Sequence, residues 1–147
     1  MLKTINASVL LFAGLVISRL LPLPDNSEPL LGLAVLTPYL TKSNLAFLYP
    51  LGIMFVSDMF LGFGWWMPFT YTALALAPFI SKAIDNKYVA LCCSWLVWHV
   101  LANAMGPEAP FTAGSLIFDI RLLVSGLSVV VMYDLLRRGW QIAYREV

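Results

Sequence analysis

Five ionisable side chains interrupt apolar stretches of this sequence: Arg19, Asp58, His99, Asp119 and Arg121. Carboxylate, imidazole and guanidinium groups can bind a polar ligand, form ion pairs or exchange protons. Each costs about 2.5 to 3.5 kcal/mol in the middle of a bilayer, so these side chains are expected to face one another or a wet cavity. We therefore predict that they line or brace a polar pocket in the outer half of a membrane domain.

Several of these positions also have a purely structural interpretation. Arg19 and Asp58 can form an ion pair that holds two helices together without any ligand. His99 can be hydrogen-bonded to a neighbouring helix, and Asn103, four residues later, adds polarity to the same helix face. The sequence leaves these interpretations open beside a role in substrate binding.

Asp119 and Arg121 are two residues apart, so their side chains point to different faces of a helix and each needs its own partner. An intramembrane enzyme that uses Asp58 with His99 or Asp119 as acid and base is the least favoured interpretation. The chain has no recognisable spacing of nucleophile and base and no G-x-x-x-x-G-K-S/T phosphate loop. We assign no catalytic residue.

The two cysteines, Cys92 and Cys93, are adjacent in the sequence, where backbone geometry disfavours a disulfide between them. A zinc site would need further ligands at a recognisable spacing, which the sequence lacks. We therefore expect no metal and no cofactor.

The composition indicates a membrane protein. Apolar residues make up 61% of the 147 residues and charged residues 12%, and the mean hydropathy is +0.84. A soluble domain of this length could not hide so much apolar surface from water. The formal net charge is +1, and no basic cluster is interleaved with aromatic residues, so nucleic acid is excluded as a partner. The length fits one domain over residues 1–147.

Proline, glycine and polar residues divide the chain into six apolar segments. The segments run from about Ile5 to Leu21, Pro29 to Leu40, Leu45 to Leu61, Met67 to Ile80, Tyr88 to Met105 and Thr112 to Leu136. The last is expected to stop at Arg137, Arg138 and Gly139. A full span takes ~20 residues, so six segments in a chain of this length must be short, tilted or partly re-entrant. The predicted fold class is all-α, a compact polytopic bundle of six transmembrane helices.

Basic residues are concentrated in alternate gaps between these segments. Seven of the nine lysines and arginines fall there: Lys3, Lys42, Lys82, Lys87, Arg137, Arg138 and Arg145. The opposite gaps contain Asp25, Glu28 and Glu108 and no basic residue. By the positive-inside rule this pattern predicts a multi-pass protein of the bacterial inner membrane with both termini in the cytoplasm.

Aromatic and small residues suggest two further roles. Trp65 and Trp66 follow the third segment and can form either an interfacial belt or a lid that stacks on a ring-shaped ligand. Two pairs of small residues are spaced four apart, Gly14 with Ser18 and Ala73 with Ala77. Such pairs can dock helices within the chain or against a partner.

A family resemblance rests on motifs in the first half of the chain. They are Arg19-Leu20-Leu21-Pro22, Asn26, Pro29, Tyr49-Pro50-Leu51-Gly52, Ser57-Asp58-Met59-Phe60-Leu61-Gly62 and Met67-Pro68-Phe69-Thr70-Tyr71. The sequence resembles an uncharacterised bacterial family of transport-type proteins related to the substrate-binding S components of energy-coupling factor (ECF) transporters. The resemblance implies a six-helix subunit that works with a transmembrane coupling protein and cytoplasmic ATPases. S components often dock through Ala-xxx-Ala on the first helix, where this chain has Gly14 and Ser18.

The functional prediction is a membrane subunit, not an enzyme, that binds a small nutrient such as a vitamin-like solute for uptake. The predicted substrate-binding residues are Arg19, Asp58, Trp65, Trp66, His99, Asn103, Asp119 and Arg121. The alternative is a structural or accessory subunit whose intramembrane charges stabilise helix packing or a larger membrane complex.

Overall fold

A computed structural model describes residues 13–21, 29–41, 45, 47–104 and 112–143, and all regular structure in these residues is helical. The helices are α1 (described over 13–20), α2 (Leu30–Leu40), α3 (Leu48–Leu61), α4 (Met67–Ala83), α5 (Lys87–Asn103) and α6 (Ala113–Ala143). Each overlaps one of the six predicted segments, so the all-α prediction is confirmed for these residues. Ile5, Met105 and the charged residues Lys3, Asp25, Glu28, Lys42, Glu108 and Arg145 lie outside the described residues.

Local sequence explains two of the helix boundaries. α3 ends at Gly62, which has a φ of 95° and whose N–H donates to the carbonyl of Asp58 at 2.8 Å. Glycine adopts this backbone conformation without the steric penalty of a Cβ atom. α5 begins after Asn86, whose side-chain oxygen accepts hydrogen bonds from the N–H groups of Tyr88 and Val89 at 2.9 and 3.3 Å. These bonds satisfy donors that have no partner in the first turn of a helix.

The predicted end of the last segment was wrong. α6 continues through Arg137, Arg138 and Gly139 to Ala143. Arginine is a good helix former, and a single glycine inside a helix costs only about 1 kcal/mol relative to alanine. Polar composition ends an apolar segment, but it does not by itself end a helix.

The central element of the bundle is α2. Its residues from Leu30 to Thr37 are all buried, and it packs against α3, α4, α5 and α6. Pro38 lies inside this helix and cannot donate a hydrogen bond to the carbonyl of Ala34. The Thr37 hydroxyl donates to that carbonyl instead, at 2.7 Å. The Ser81 hydroxyl of α4 donates to the carbonyl of Val35, also at 2.7 Å.

α2 and α6 cross where two glycines face each other. A Cβ atom added to Gly32 would lie 2.5 Å from the carbonyl oxygen and 2.8 Å from the Cα of Gly126. On Gly126 it would lie 3.0 Å from Cδ1 of Leu91 and 3.3 Å from the nitrogen of Gly32. The two backbones therefore touch, which is the close approach that small residues permit between helices in lipid.

The exterior of the bundle is apolar, whereas several polar side chains lie inside it. Large apolar residues with high exposure include Phe60 (73%), Leu136 (67%) and Val124 (60%). Among the described residues, the buried polar ones are Thr37, Ser57, Asp58, Ser81, Ser94, His99 and Asp119. Soluble monomers rarely expose extensive apolar surface, and such surface marks contact with membrane or protein.

Among the described residues one helix is long and apolar enough to cross a bilayer, α6 over Ala113–Gly139. Only 22% of its most apolar window is buried, so it is not the enclosed core helix of a globular domain. α2 and α3 are apolar but shorter.

Candidate functional site

The candidate residues lie at one end of the bundle. α3 ends and α4 begins on either side of the short connection 62–66, and α4 and α5 are joined by residues 84–86. These short connections make α3, α4 and α5 antiparallel neighbours, so α5 ends where α4 begins. We call this the Gly62 end and the opposite one the Lys87 end. Asp58, Tyr71, His99 and Asp119 all lie within about 10 Å of the helix termini at the Gly62 end, at about 1.5 Å per residue.

The first group there, the Asp58 cluster, consists of Arg19, Asp58 and Tyr71 on α1, α3 and α4. An NH2 nitrogen of Arg19 lies 3.3 Å from Oδ1 of Asp58, with side-chain exposures of only 7% and 3%. The Tyr71 hydroxyl donates to Oδ2 of the same carboxylate at 2.7 Å. The ion pair between Arg19 and Asp58 that the sequence left open is therefore present. Together with the hydrogen bond from Tyr71, it joins three helices.

The second group, the Asp119 cluster, consists of Trp95, His99, Asn103 and Asp119 on α5 and α6. Nδ1 of His99 is paired with Oδ2 of Asp119, and the Asn103 amide donates to the same oxygen at 2.9 Å and to the His99 carbonyl at 2.7 Å. The Trp95 ring stacks on the imidazole, with centroids 5.9 Å apart, and its N–H donates to the Asp119 carbonyl. His99 and Asp119 are only 4% and 3% exposed.

Sequence reasoning missed a third group, the Asp134 cluster, at the Lys87 end. Nζ of Lys87 lies 2.8 Å from Oδ1 of Asp134, and the Tyr88 hydroxyl donates to Oδ2 at 2.7 Å. The lysine also lies within 6 Å of the ring centres of Tyr39, Tyr88 and Tyr133. The side chains of Lys87 and Asp134 are each 18% exposed. A sequence signal was present, since Lys87-Tyr88 and Tyr133-Asp134 each place a charge beside an aromatic ring at the end of a segment.

The structure separates Arg121 from the other predicted site residues. Asp119 is buried, whereas Arg121 is exposed, with its guanidinium 5.5 Å from the ring centre of Phe118. The two side chains therefore lie on different faces of α6, as their spacing predicted. Arg121 cannot share the buried surroundings of Asp119.

Trp65 and Trp66 lie at the surface of the α3–α4 connection, with exposures of 56% and 51%. Their rings meet edge to face, with centroids 6.2 Å apart, and the Trp66 ring occupies the space beside Gly64 where a Cβ atom would lie. This position fits an interfacial belt. It leaves the lid interpretation a prediction.

The small-residue pairs have different surroundings. Ala73 and Ala77 are fully buried, so their small size serves packing within the chain and does not offer a partner surface. Gly14 is exposed, and a Cβ atom added to it would meet no atom within 4 Å. Ser18 is half-buried, with its hydroxyl on the Leu15 carbonyl at 2.8 Å. Of the two pairs, Gly14 with Ser18 is therefore the one that can contact another protein.

A groove of about 410 Å³ lies between α4 and α5 and is lined by Leu76, Leu96, Val97, Val100 and Leu101. Its lining offers no polar group to orient a solute. In the described residues no group of three or more histidine, cysteine or acidic side chains is placed to hold a metal ion. Cys92 and Cys93 are free thiols.

Comparison with known proteins gives one result. The model of a family of unknown function, DUF6580, matches residues 2–106, so the chain belongs to this family. The match includes α1 to α5 and ends before α6, so it contains Asp58 and His99 but not Asp119. No curated protein and no solved structure matches the chain.

Proposed function

We propose that this member of the DUF6580 family is a multispanning protein of the bacterial inner membrane that binds a small solute from outside and takes part in its uptake. It spans the membrane six times, with both termini and the Lys87 end in the cytoplasm, and it is not an enzyme. The apolar exterior and the polar groups buried inside the bundle support this proposal, because that distribution suits a lipid environment.

The observation that carries the proposal is the depth of the two buried carboxylates. Asp58 and Asp119 lie on different helices but near the same end of the bundle, each with at least one ionisable partner. Intramembrane ionisable residues are rare and costly, and they commonly mark a substrate or ion pathway. The Asp58 and Asp119 clusters, at a shared depth, supply both signs of charge and several hydrogen-bonding groups to a polar solute.

In this proposal the solute site consists of the Asp58 and Asp119 clusters, with Trp65 and Trp66 at its rim. Arg121 is not part of it, because it faces away from Asp119. If the chain works as S components do, the exposed Gly14 face of α1 contacts the transmembrane coupling protein and cytoplasmic ATPases supply the energy. The resemblance to S components is the basis of this partnership.

A second function, a structural subunit of a membrane complex, is favoured by a specific observation. Asp58 is already bonded within the chain to Arg19 and Tyr71. Asp119 is likewise bonded to His99 and Asn103. These contacts join α1 to α3 and α4, and α5 to α6. Such pairs need no solute to explain them, because breaking one leaves a buried charge at high cost.

Thermal unfolding of the purified protein with a library of small nutrients separates the two functions. A solute that binds the folded state raises Tm by mass action. We expect at least one such solute, and we expect Asp58→Asn to remove its effect. The matched control is Asp134→Asn, which alters an ion pair with the same tyrosine contact at the Lys87 end and should keep the solute effect.

The structural function makes the opposite prediction. Asp58→Asn and Asp134→Asn would both lower Tm, and no solute in the library would raise it. The assignment of the site would be refuted if a solute still raised the Tm of both single variants, Asp58→Asn and Asp119→Asn, as much as it raises the Tm of the unmodified protein.

A further inference from the structure

Arg121 is a charged residue of α6 that the proposed solute site leaves unexplained. Its side chain is exposed, on a different face of α6 from the buried Asp119. Large apolar residues surround it on that face and are also exposed, such as Ile117 at 55% and Val124 at 60%. No described carboxylate forms an ion pair with it. A guanidinium remains charged in proteins, so in a membrane it needs an anion or water at its own depth.

The direction of the Arg121 side chain places its charge near the Gly62 end. Side chains of a helix point toward its N-terminus, and the guanidinium of Arg121 lies 5.5 Å from the ring centre of Phe118, one turn nearer to the start of α6. Phe118 directly precedes Asp119, which is paired with His99, four residues before the end of α5. At about 1.5 Å per residue, the guanidinium therefore lies within about 6 Å of the level at which α5 ends.

The other arginines described on α6 give a second measure of this depth. Arg137 and Arg138 are exposed and follow Arg121 by 16 and 17 residues (137 − 121 and 138 − 121), which is about 24 to 26 Å along a helix. The turn spanned by the Arg121 side chain adds about 5 Å, so the separation approaches the ~30 Å of a bilayer core. Between Arg121 and Arg137 the one charged side chain, Asp134, is paired with Lys87. In the proposed topology, α6 thus has exposed cations at both boundaries of the hydrocarbon.

The anion that a membrane supplies at this boundary is the phosphate of a phospholipid. Long basic side chains reach that level along apolar surface, and the planar guanidinium binds phosphate oxygens through two parallel hydrogen bonds. Trp65 and Trp66, exposed at the same end, are of a residue type enriched at membrane interfaces. The exposed apolar face beside Arg121 can pack against acyl chains, whereas a free phosphate ion gains nothing from that face.

Protein occupants fit this face less well. In a symmetric dimer formed through it, the two copies of Arg121 would approach each other. The two carboxylates of α6, Asp119 and Asp134, are paired within the chain and do not separate them. A partner helix would need its own carboxylate close to the membrane boundary, where lipid phosphate is already present.

We propose that Arg121 binds the phosphate of an anionic phospholipid in the leaflet at the Gly62 end, with the acyl chains packed along the exposed face of α6. The inference goes beyond the proposed solute site, since it rests on the proposed membrane topology and not on solute binding. An anionic headgroup is favoured because the described residues expose no carboxylate at this end to receive the ammonium group of a zwitterionic lipid.

The test is native mass spectrometry of the purified full-length chain in detergent, titrated with dioleoylphosphatidylglycerol. The comparison ligands are dioleoylphosphatidylcholine, dioleoylglycerol, which lacks the phosphate, and inorganic phosphate. We expect phosphatidylglycerol to bind at least severalfold more tightly than the other two lipids. Arg121→Gln should weaken the binding of one phosphatidylglycerol at least severalfold. In thermal unfolding, this lipid should raise the Tm of the unmodified protein more than that of Arg121→Gln, and inorganic phosphate should raise neither.

Two double variants keep the net charge and change only the position of the arginine. Arg121→Gln with Ile117→Arg moves it one turn toward the Gly62 end on the same face, and this variant should restore lipid binding. Arg121→Gln with Val124→Arg moves it toward the middle of α6, and this variant should bind phosphatidylglycerol more weakly than the first. All three positions are exposed, so the substitutions leave the core of the bundle unchanged.

Equal binding of phosphatidylglycerol to the unmodified protein and to Arg121→Gln would overturn the inference, as would equal Tm increases with phosphatidylglycerol and with inorganic phosphate. If Arg121→Gln retains all its lipid and instead loses a copurifying membrane protein, the face binds an acidic partner helix and the inference is wrong.

The outcomes also separate this inference from the proposed function. If phosphatidylglycerol binding depends on Arg121 while no solute raises Tm, the inference stands and the solute-binding function fails. If a solute raises Tm and Arg121→Gln binds lipid normally, the solute-binding function stands and the inference fails. If no lipid of any headgroup is retained, the proposed membrane topology and the inference fail together.

Discussion

Replacement of Gly32 by alanine tests the close backbone contact between α2 and α6. The new Cβ atom would lie 2.5 Å from the Gly126 carbonyl oxygen, where ordinary contacts begin at 3.4 Å. α2 and α6 must then separate by about 1 Å, and overpacking of this kind costs about 1 to 3 kcal/mol. Alanine recovers up to about 1 kcal/mol of helix propensity. We expect a net destabilisation of about 1 to 2 kcal/mol.

The chain offers matched controls for this substitution. Gly126→Ala meets a flexible Leu91 side chain at 3.0 Å and the Gly32 nitrogen at 3.3 Å, so it should destabilise less than Gly32→Ala. Gly14 and Gly139 have no atom within 4 Å of the new Cβ, so alanine there should be neutral or stabilising by up to about 1 kcal/mol.

The assay is thermal unfolding in detergent, followed by the fluorescence of the five tryptophans. Gly32→Ala should lower Tm by about 3 to 8 °C, and the order of stability should be Gly14→Ala, then Gly126→Ala, then Gly32→Ala. Equal stability of Gly32→Ala and Gly14→Ala would refute the close approach of α2 and α6.

Three further predictions concern other parts of the bundle. Asn86→Ala removes the side chain that caps α5 and should lower the free energy of unfolding, measured with denaturant, by about 0.5 to 2 kcal/mol. Asn86→Asp keeps a capping oxygen and should retain most of that stability. Lys87→Met should destabilise more than Arg121→Gln in the same assay, because it leaves the carboxylate of Asp134 without its ammonium partner; equal effects would contradict this. The orientation is tested with Trp65→Cys or Arg138→Cys, each as the single cysteine in a chain without Cys92 and Cys93. In intact cells the cysteine of Trp65→Cys should react with an impermeant maleimide, and that of Arg138→Cys should not. The reverse pattern would exclude the proposed orientation.

The helices could be predicted from sequence because their signals are local. Apolar runs and breaks such as Gly62 located all six elements, and helical periodicity placed Asp119 and Arg121 on different faces. The pairing of Arg19 with Asp58 was foreseen as one of two interpretations, because opposite charges in an apolar chain have few other ways to be stabilised.

What the sequence did not predict depends on contacts between distant parts of the chain. Nothing near Gly32 marks it as the partner of Gly126, since one small residue carries no information about which helix it meets. The Asp134 cluster was missed for a different reason, because charges at segment ends indicate orientation by the positive-inside rule. Lys87 also serves as a structural contact.

The enclosed position of α2 has a consequence for how the protein is made. Its 11 residues span about 16 Å, roughly half the thickness of a bilayer core. In the proposed membrane topology, a helix this short has little independent tendency to insert, so it would enter the membrane together with neighbouring segments. Gly126, which Gly32 of α2 meets on α6, is synthesised 94 residues after Gly32 (126 − 32). In that topology the nascent chain would hold an incomplete bundle until α6 leaves the ribosome, and we expect a product truncated before α6 to be a substrate for membrane proteases.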